Sequence, residues 1–274
     1  MGAQYFGRRV ELTVAPISGG SGLKVTGARI SFASKKTSTS APNKSTISVY
    51  NLNSASRALV STAGQGVILK AGYNDLLSTE VVGRVSRVEH VPAPPDIITK
   101  IEVIDGKTDL YGSTFSRSYS SGASKIQVFR DILAAMPNTD VGLLTASGLD
   151  GNISGPLALS GRARVVADKL ASAWGFEWSV QDGVANALDT TGTRIPLVSA
   201  WKFSPTTGLL DVPARTDRGC SFTTFLTPTA VGDPVILKSD AVSGNFKIES
   251  RSSKGDTHGT GPGSWAVHHE AVLL

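Results

Sequence analysis

The stretch Val67-Ile68-Leu69-Lys70 occurs a second time as Val235-Ile236-Leu237-Lys238. Each copy follows a glycine-containing turn, and that turn follows an alternating strand ending in leucine, at 46–52 and at 220–226. Each copy is also followed by a glycine that opens another alternating strand. Because the order of elements recurs along with the four residues, the sequence predicts a duplicated β module.

Around the first copy, polar and apolar residues alternate with the period of two that is typical of half-buried strands. The predicted strands are 9–14, 25–32, 46–50, 67–73, 81–91 and 97–104. One short helix over 53–60 begins at a capping side chain, Asn53 or Ser54. The polar stretch 34–45 is expected to be an exposed, mobile loop. These elements predict a first β-barrel or sandwich domain over residues 1–105.

The middle third changes its period. Apolar residues follow a capping-box pattern at Ser124 with helical spacing, and this helix is expected to end at Pro137. Residues 142–156 read as irregular, and a second helix starts near Ser160 and is capped by Gly175. Asp182-Gly183 between two alternating segments predicts a two-residue β-hairpin turn. Residues 106–190 are therefore interpreted as a mixed α/β insert.

The last third returns to strands, predicted at 220–226, 235–238, 246–250 and 265–273. Residues 191–274 form the second predicted barrel. The fold class is accordingly mainly β, with two similar β-barrel domains and a smaller α+β insert made of helices and a hairpin.

Length and composition agree with two or three compact units, since 274 residues exceed what one core usually needs. Hydrophobic residues at 40% and charged residues at 18% exclude a disordered chain. No apolar run reaches eighteen residues, and residues 1–9 carry no secretion or myristoylation signal. A single cysteine, Cys220, cannot form an intrachain disulfide. We expect a soluble chain made in a reducing cytoplasm.

The net charge of +5 arises entirely in residues 1–105, which hold twelve Lys or Arg and seven Asp or Glu. Such an excess could attract nucleic acid. The basic residues are scattered, however, which favours a solvated surface or a protein–protein contact. Aromatic residues, at 7%, are not interleaved with them as a single-strand binding platform requires. The scattered residues include Arg8, Arg9, Lys35, Lys36, Lys44, Arg84 and Arg87.

Residues with catalytic potential form no recognisable setting. The sequence lacks phosphate-binding glycine loops and a nucleophile elbow. The histidines are His90, His258, His268 and His269, and the last two are expected to point to opposite faces of a strand. Asp256 and His258 lie among glycines, which favours a turn over a hydrolytic dyad. The nucleophiles such a dyad could use are Ser252, Ser253, Ser264 and Cys220.

Trp174, Trp178 and Trp201 sit on apolar faces and are expected in cores. The sequence therefore predicts no enzyme and no catalytic, cofactor-binding or metal-binding residues.

Four stretches resemble the hub proteins of phage tail baseplates, the class found in Mu-like and other contractile-tailed phages and in tailocins. They span nearly the whole chain in the order of that family. The stretches are 43–52 with Arg57 and 71–73; 105–108 leading into the helix from Ser124; 204–213 with 225–228 and Gly232; and 244–248 with 255–259 and Trp265.

This resemblance implies a virion structural protein that is made in the host cytoplasm and forms a homotrimer. Two tube-type barrels per chain would give a pseudo-six-fold ring between the hexameric tail tube above and the trimeric tail spike below. DNA would pass through the lumen without sequence-specific binding, and no membrane anchoring is implied. Wedge, sheath-proximal and tape-measure proteins are the further implied partners.

Two alternatives remain open. One is the hub module of a type VI secretion-like or tailocin spike; such chains usually continue into a β-helix, and this sequence stops at Leu274. The other, from a different class, is a tail-associated cell-wall hydrolase, which the missing catalytic setting disfavours.

Overall fold

The computed structural model describes residues 7–74, 76–105, 112–261 and 263–274. Residues 1–6, part of the 1–9 stretch in which no targeting signal was found, and positions 106–108 of the second resembling stretch lie outside these residues. The described chain is mainly β with a smaller α+β insert, so the predicted fold class is confirmed.

In the described part of the first module there are seven strands and one helix. Asn53 caps the helix, because its Oδ1 accepts a hydrogen bond from Ser56 N at 2.8 Å. The elements are β1 Arg8–Pro16, β2 Leu23–Val25, β3 Ile30–Thr37, β4 Lys44–Tyr50, α1 Ser54–Ser61, β5 Gln65–Tyr73, β6 Leu76–Ala93 and β7 Asp96–Ile104.

Over residues 114–188, the insert carries two helices against two small sheets. Gly175 ends the second helix in the left-handed conformation, with φ 74°. Strand β9 pairs in parallel with β12, and β8 pairs with β10. The elements are β8 Thr114–Tyr119, α2 Lys125–Ala134, β9 Asp140–Leu144, β10 Leu157–Arg162, α3 Ala163–Trp174, β11 Glu177–Gln181 and β12 Val184–Leu188.

The second module completes a thirteen-stranded sheet with the first. Strand β17 joins them, because its second half pairs with β3 from Ser250↔Thr37 to Asp256↔Ser31. The elements are β13 Trp201–Phe203, β14 Ala214–Thr216, β15 Gly219–Phe225, β16 Pro234–Lys238, β17 Ser243–Asp256 and β18 Trp265–Leu273.

The two modules repeat one strand order. The first runs β1-β5-β6-β7-β4-β3 and the second β13-β16-β17-β18-β15-β14. The repeated four residues fall in β5 and β16, and both copies bury their first and third residues: Val67 and Leu69, and Val235 and Leu237. One pairing differs, since β1 is antiparallel to β5 whereas β13 is parallel to β16.

The described residues form three hydrophobic cores. The first fills the β1–β7 module and also receives Trp265 and Val267 from β18. The Trp265 ring packs edge-on against Phe32, with centroids 5.8 Å apart. The second core belongs to the insert, around Phe129, and the third to the second module, around Phe222.

The expected loop at 34–45 is wrong at both ends. Ser34 to Thr37 continue β3, Lys44 and Ser45 begin β4, and Ser34, Lys36 and Asn43 are buried. Because these residues are polar, they were expected to be exposed to solvent. The insert, however, covers the hairpin. The strand expected over 25–32 is interrupted between Val25 and Ile30, where Gly27 has a φ of 75°.

Several insert boundaries also differ from prediction. Strand β9, at 140–144, extends into the 142–156 stretch expected to be irregular. Residues 157–162 form β10, so the second helix starts at Ala163 and not near Ser160. Ser124 is the N-cap residue of α2 but makes no side-chain capping hydrogen bond. Strands β13 and β14 were not predicted, because three residues carry too little alternation.

Candidate assembly surfaces and the junction that positions them

A fully buried ion pair links the two modules. Arg251 on β17 donates from Nη1 to Glu80 Oε2 at 2.7 Å and from Nη2 to Glu80 Oε1 at 2.9 Å. Arg251 Nη2 also donates to Thr227 O at 2.9 Å. The side chains are 3% and 0% exposed. Removing one member of such a pair leaves an uncompensated buried charge, so the pair favours one arrangement of the modules.

A second contact holds the insert against the first module. The carboxylate of Asp105, at the end of β7, accepts the backbone N–H of Asp182 at 2.7 Å and of Gly183 at 3.0 Å. Both donors belong to the predicted hairpin turn, where Asp182 has a φ of 54° and Gly183 of 82°. Burial, together with the neighbouring charge of Asp182, raises the pKa of Asp105 to about 6.

The β3–β4 hairpin meets the same turn. Lys36 Nζ donates to both carboxylate oxygens of Asp182, at 2.7 and 2.6 Å. Asn43 Nδ2 donates to Gln181 Oε1 at 3.1 Å, and Gln181 Nε2 donates to Thr37 O at 2.7 Å. These partners explain why a polar hairpin is buried. Lys36, expected among the scattered basic surface residues, is instead an internal contact.

The insert is also tied to the second module. Lys247, whose side chain is 2% exposed, lies 3.5 Å from Glu177 Oε2 and donates to the carbonyl oxygens of Asp189 and Thr190. In the linking segment, Arg194 Nε donates to Asp233 Oδ1 at 2.7 Å. The insert therefore contacts both modules through buried polar groups, which fixes where its outer surface lies relative to theirs.

Asp256 and His258 lie in a turn. Asp256 Oδ1 accepts the backbone N–H of His258 at 2.9 Å, and Asp256 Oδ2 lies 2.9 Å from Arg29 Nη2. Burial acts to raise the pKa of Asp256, but the hydrogen bonds from Arg29 and from His258 N outweigh it and hold the pKa below its usual value. His258 Nδ1 contacts the hydroxyl of Thr257 at 3.1 Å. The carboxylate thus serves backbone and guanidinium donors and does not orient the imidazole.

The adjacent histidines point to opposite faces. His269 is fully buried, stacks on Phe222 with centroids 4.9 Å apart, and lies 3.1 Å from Thr224 Oγ1 through Nε2. Burial, with a smaller contribution from the charge of Arg251, lowers its pKa well below the usual value. His268 faces solvent, near Thr223 Oγ1.

Several other side chains considered for catalysis are buried or hydrogen-bonded to neighbouring residues. Burial raises the pKa of Cys220 to about 11, so its thiol stays protonated. Ser253 is buried, and Ser264 Oγ accepts from Arg8 Nη1 at 3.0 Å. His90 lies between Ser61 Oγ at 3.0 Å and Thr99 Oγ1 at 3.1 Å. Within the described ranges, no three His, Cys, Asp or Glu side chains are grouped to hold a metal ion.

The tryptophans face the cores, as expected. Trp178 is buried, and Trp174 and Trp201 are partly buried against the insert core and the second-module core.

The junction residues escaped sequence analysis. Glu80 and Arg251 are separated by 171 positions, so no local sequence pattern predicts that they pair. The available signal is a lone charge beside apolar residues of a strand, such as Lys247 between Phe246 and Ile248, all three of which are buried. That signal indicates a strand covered on both faces but names no partner.

Exposed apolar side chains mark the outer surface. The most exposed are Leu76 at 85%, Val198 at 87% and Val212 at 79%. Among the described residues, no helix has both the length and the apolar character needed to cross a membrane.

The tandem modules, the shared sheet and the intervening insert define a fold found in phage tail proteins. No protein-family model matches the sequence, and no curated protein matches it either. Among solved structures, the chain is similar to a tail protein of Neisseria meningitidis MC58, with 11% identity, 97% of each chain covered and a TM-score of 0.67.

Two further structures share this fold. One is the 43 kDa tail protein of prophage MuSo2 from Shewanella oneidensis, with 10% identity, 96% and 98% coverage and a TM-score of 0.65. The other is the E. coli c3393 protein, a type VI secretion component described as structurally similar to the T4 tail proteins gp27 and gp5. Its identity is 11%, its TM-score is 0.62, and the match covers 96% of this chain and 76% of that one. The similarity expected from the sequence is confirmed at the level of the fold.

Proposed function

We propose that this chain is a structural, non-enzymatic component of a phage-type tail, acting as a baseplate hub in the virion. The support is a fold shared over 96–97% of the chain with two phage tail proteins. The limits of its three domains are proposed at 1–105, 106–190 and 191–274. The second and third cores each lie within one of these ranges, whereas the first core also takes Leu226, Trp265 and Val267 from the third range.

The duplicated strand order carries the proposal. Two modules of one topology, joined side by side through β3 and β17, let three chains present six similar units. Such a homotrimer would offer a six-fold surface to the tail tube and a three-fold surface to the spike. Its subunit contacts are expected to be large and apolar at their centres.

The lumen of the proposed ring would let DNA slide without sequence recognition, so it should not be strongly basic. Two of the twelve basic residues of the first module, Lys36 and Arg29, are already engaged by Asp182 and Asp256. The purified trimer is expected to pass through a DNA-affinity column at moderate salt. Tight retention would contradict a passive lumen.

The insert would lie on the outside of the ring, where wedge, sheath-proximal or tape-measure proteins could bind. Its edge strand β9 exposes Val141 and Leu143 at 46% and 37%, which supports a contact there.

Mass measurement tests the central proposal. Native mass spectrometry or light scattering of the full chain, alone and with its cognate spike protein, is expected to give three copies. A monomer in both samples would contradict the hub.

A second candidate is the hub portion of a secretion spike, which the similarity to the E. coli type VI component supports. Co-purification distinguishes the two: a phage hub is expected with tail tube and spike chains, a secretion hub with secretion components. Cell-wall hydrolysis, the alternative from another class, is expected to be absent in a zymogram with peptidoglycan.

A further inference from the structure

An apolar groove lies on the first module beside the insert. It runs along β1, β5 and β6, is also lined by Asn138 and Gly183 of the insert, and has a volume of about 300 Å³. Thr13, Ile68 and Val82 lie side by side across it, in the register of the three strands. Ile17 and Ile68 are 42% and 43% exposed. We call this the first-module groove.

Two strand residues that line the groove are glycines, and atoms of the same chain approach both of them closely. A Cβ atom at Gly66 would stand 3.0 Å from Ile17 Cγ1, and one at Gly83 would stand 2.8 Å from Ile104 O. Glycine within a strand often marks a close approach of other backbone, and at Gly83 that backbone is Ile104 of the same chain. In the second module, Ile236 occupies the position equivalent to Ile68 and is less exposed, so the repeat itself does not require an open face.

The second module carries a complementary projection, the 205–213 loop between β13 and β14. Leu210 and Val212 on this loop are 40% and 79% exposed. The loop is held in place, because Leu210 N donates to Thr223 O at 2.8 Å and Thr223 N donates to Asp211 Oδ1 at 2.8 Å. An ordered loop loses little entropy on binding.

The charges beside the two surfaces are opposite. Arg84 lines the first-module groove, whereas Asp211 and Asp240 line the hollow beside Leu210 and Val212. The groove also contains Asp105, but that carboxylate is buried and accepts the two N–H groups of the 182–183 turn. Complementary charge selects partner and orientation.

We propose that the 205–213 loop of one copy docks into the first-module groove of a second copy. Leu210 and Val212 then pack against Ile17 and Ile68, and the acidic residues beside the loop face Arg84. An apolar cavity of about 150 Å³ accepts benzene, so the groove has room for two aliphatic side chains. Because the two surfaces differ, the contact is head-to-tail and propagates around a ring. This inference rests on the proposed homotrimer and names its subunit contact.

Paired cysteines test the contact in the full chain. The variant Ile68→Cys with Val212→Cys is expected to form covalent trimers on oxidation, with loss of the monomer band on a non-reducing gel. The native Cys220 is fully buried and need not be removed. Mixing the two single variants should give covalent dimers only.

Val198→Cys combined with Ile68→Cys is the matched control, since Val198 is 87% exposed and lies outside the loop. Equal crosslinking by the control would mean random collision and would overturn the contact. A trimeric mass without crosslinks between positions 68 and 212 would also overturn it, yet leave the proposed hub standing. Crosslinks in a particle of two copies would support the contact and contradict the three-fold hub. A monomer throughout would contradict both.

A charge exchange gives an independent readout. Arg84→Glu and Asp240→Lys are each expected to raise the dissociation constant of the contact between copies about tenfold or more. The first change places a glutamate near the acidic residues beside the loop, and the second places a lysine near Arg84. The double variant should recover most of the affinity. Circular dichroism checks that each variant folds, and failure of the double variant to recover would overturn the assigned orientation.

Discussion

The guanidinium of Arg251 donates to both carboxylate oxygens of Glu80, with hydrogen bonds of 2.7 and 2.9 Å, and both side chains are almost fully buried. The pair joins β17 of the second module to β6 of the first. It gives the tandem modules a fixed mutual position that apolar packing alone would specify less sharply.

Removing one member of this pair should be costly. Arg251→Met is expected to lower the free energy of unfolding by about 3–5 kcal/mol, because Glu80 stays buried without a partner. The double variant with Glu80→Met should regain most of that loss. Urea denaturation at fixed protein concentration measures both, and a loss below about 1 kcal/mol in the single variant would contradict the assignment.

Asp105 should make the contact between the first module and the insert sensitive to pH. Its pKa is raised to about 6, so the folded state binds a proton more tightly than the unfolded chain. The resulting stability is present below about pH 4 and is lost as pH rises through about 6, a change on the order of 2–3 kcal/mol. The difference in unfolding free energy between wild type and Asp105→Asn should fall over that range. A difference independent of pH would contradict this environment.

His269 should act in the opposite direction. Burial lowers its pKa, so it contributes stability above about pH 6.5 that is lost as pH falls and the unfolded chain takes up a proton. The variant His269→Phe can keep the stack on Phe222. Its free energy of unfolding is expected to fall less between pH 7 and pH 5 than that of the wild type. Urea midpoints at the two pH values provide the comparison, and equal losses would show that the ring does not titrate on unfolding.

The duplicated residues should contribute similarly to both cores. Leu69→Ala and Leu237→Ala each delete a fully buried side chain and are expected to cost about 2–5 kcal/mol. Leu76→Ala is the control, since a side chain 85% exposed should cost less than about 1 kcal/mol. Thermal or urea unfolding of the three variants tests whether the repeat is structural; a negligible loss in either core variant would argue against it.

Local sequence patterns predicted much of the fold. Alternation located both copies of the repeated strand, and Asp182-Gly183 marked a turn that does form. The polar stretch 34–45 misled, because the groups that bury it, at Gln181 and Asp182, lie about 140 residues further along the chain. Strands of three residues, such as β14, offer too few positions for a period to show.

The site was less accessible to sequence reasoning than the fold. Charged residues in the junction look like any other surface charge until the strands around them are placed. The exposure of Ile68 could not be foreseen either, because its repeat partner Ile236 has the same neighbours in sequence and is better covered. Tertiary surroundings, not residue type, separate the two.

The ladder between β3 and β17 also bears on how the chain is made. Ser34 pairs with Ser253, which is synthesised about 220 residues later. At 5–20 residues per second, the ribosome needs roughly 10–45 s to reach it. During that time the outer edge of β3 lacks its final partner, and edges of this kind invite aggregation. Lys35 and Lys36 lie on that edge, where their charges would discourage premature pairing between nascent chains.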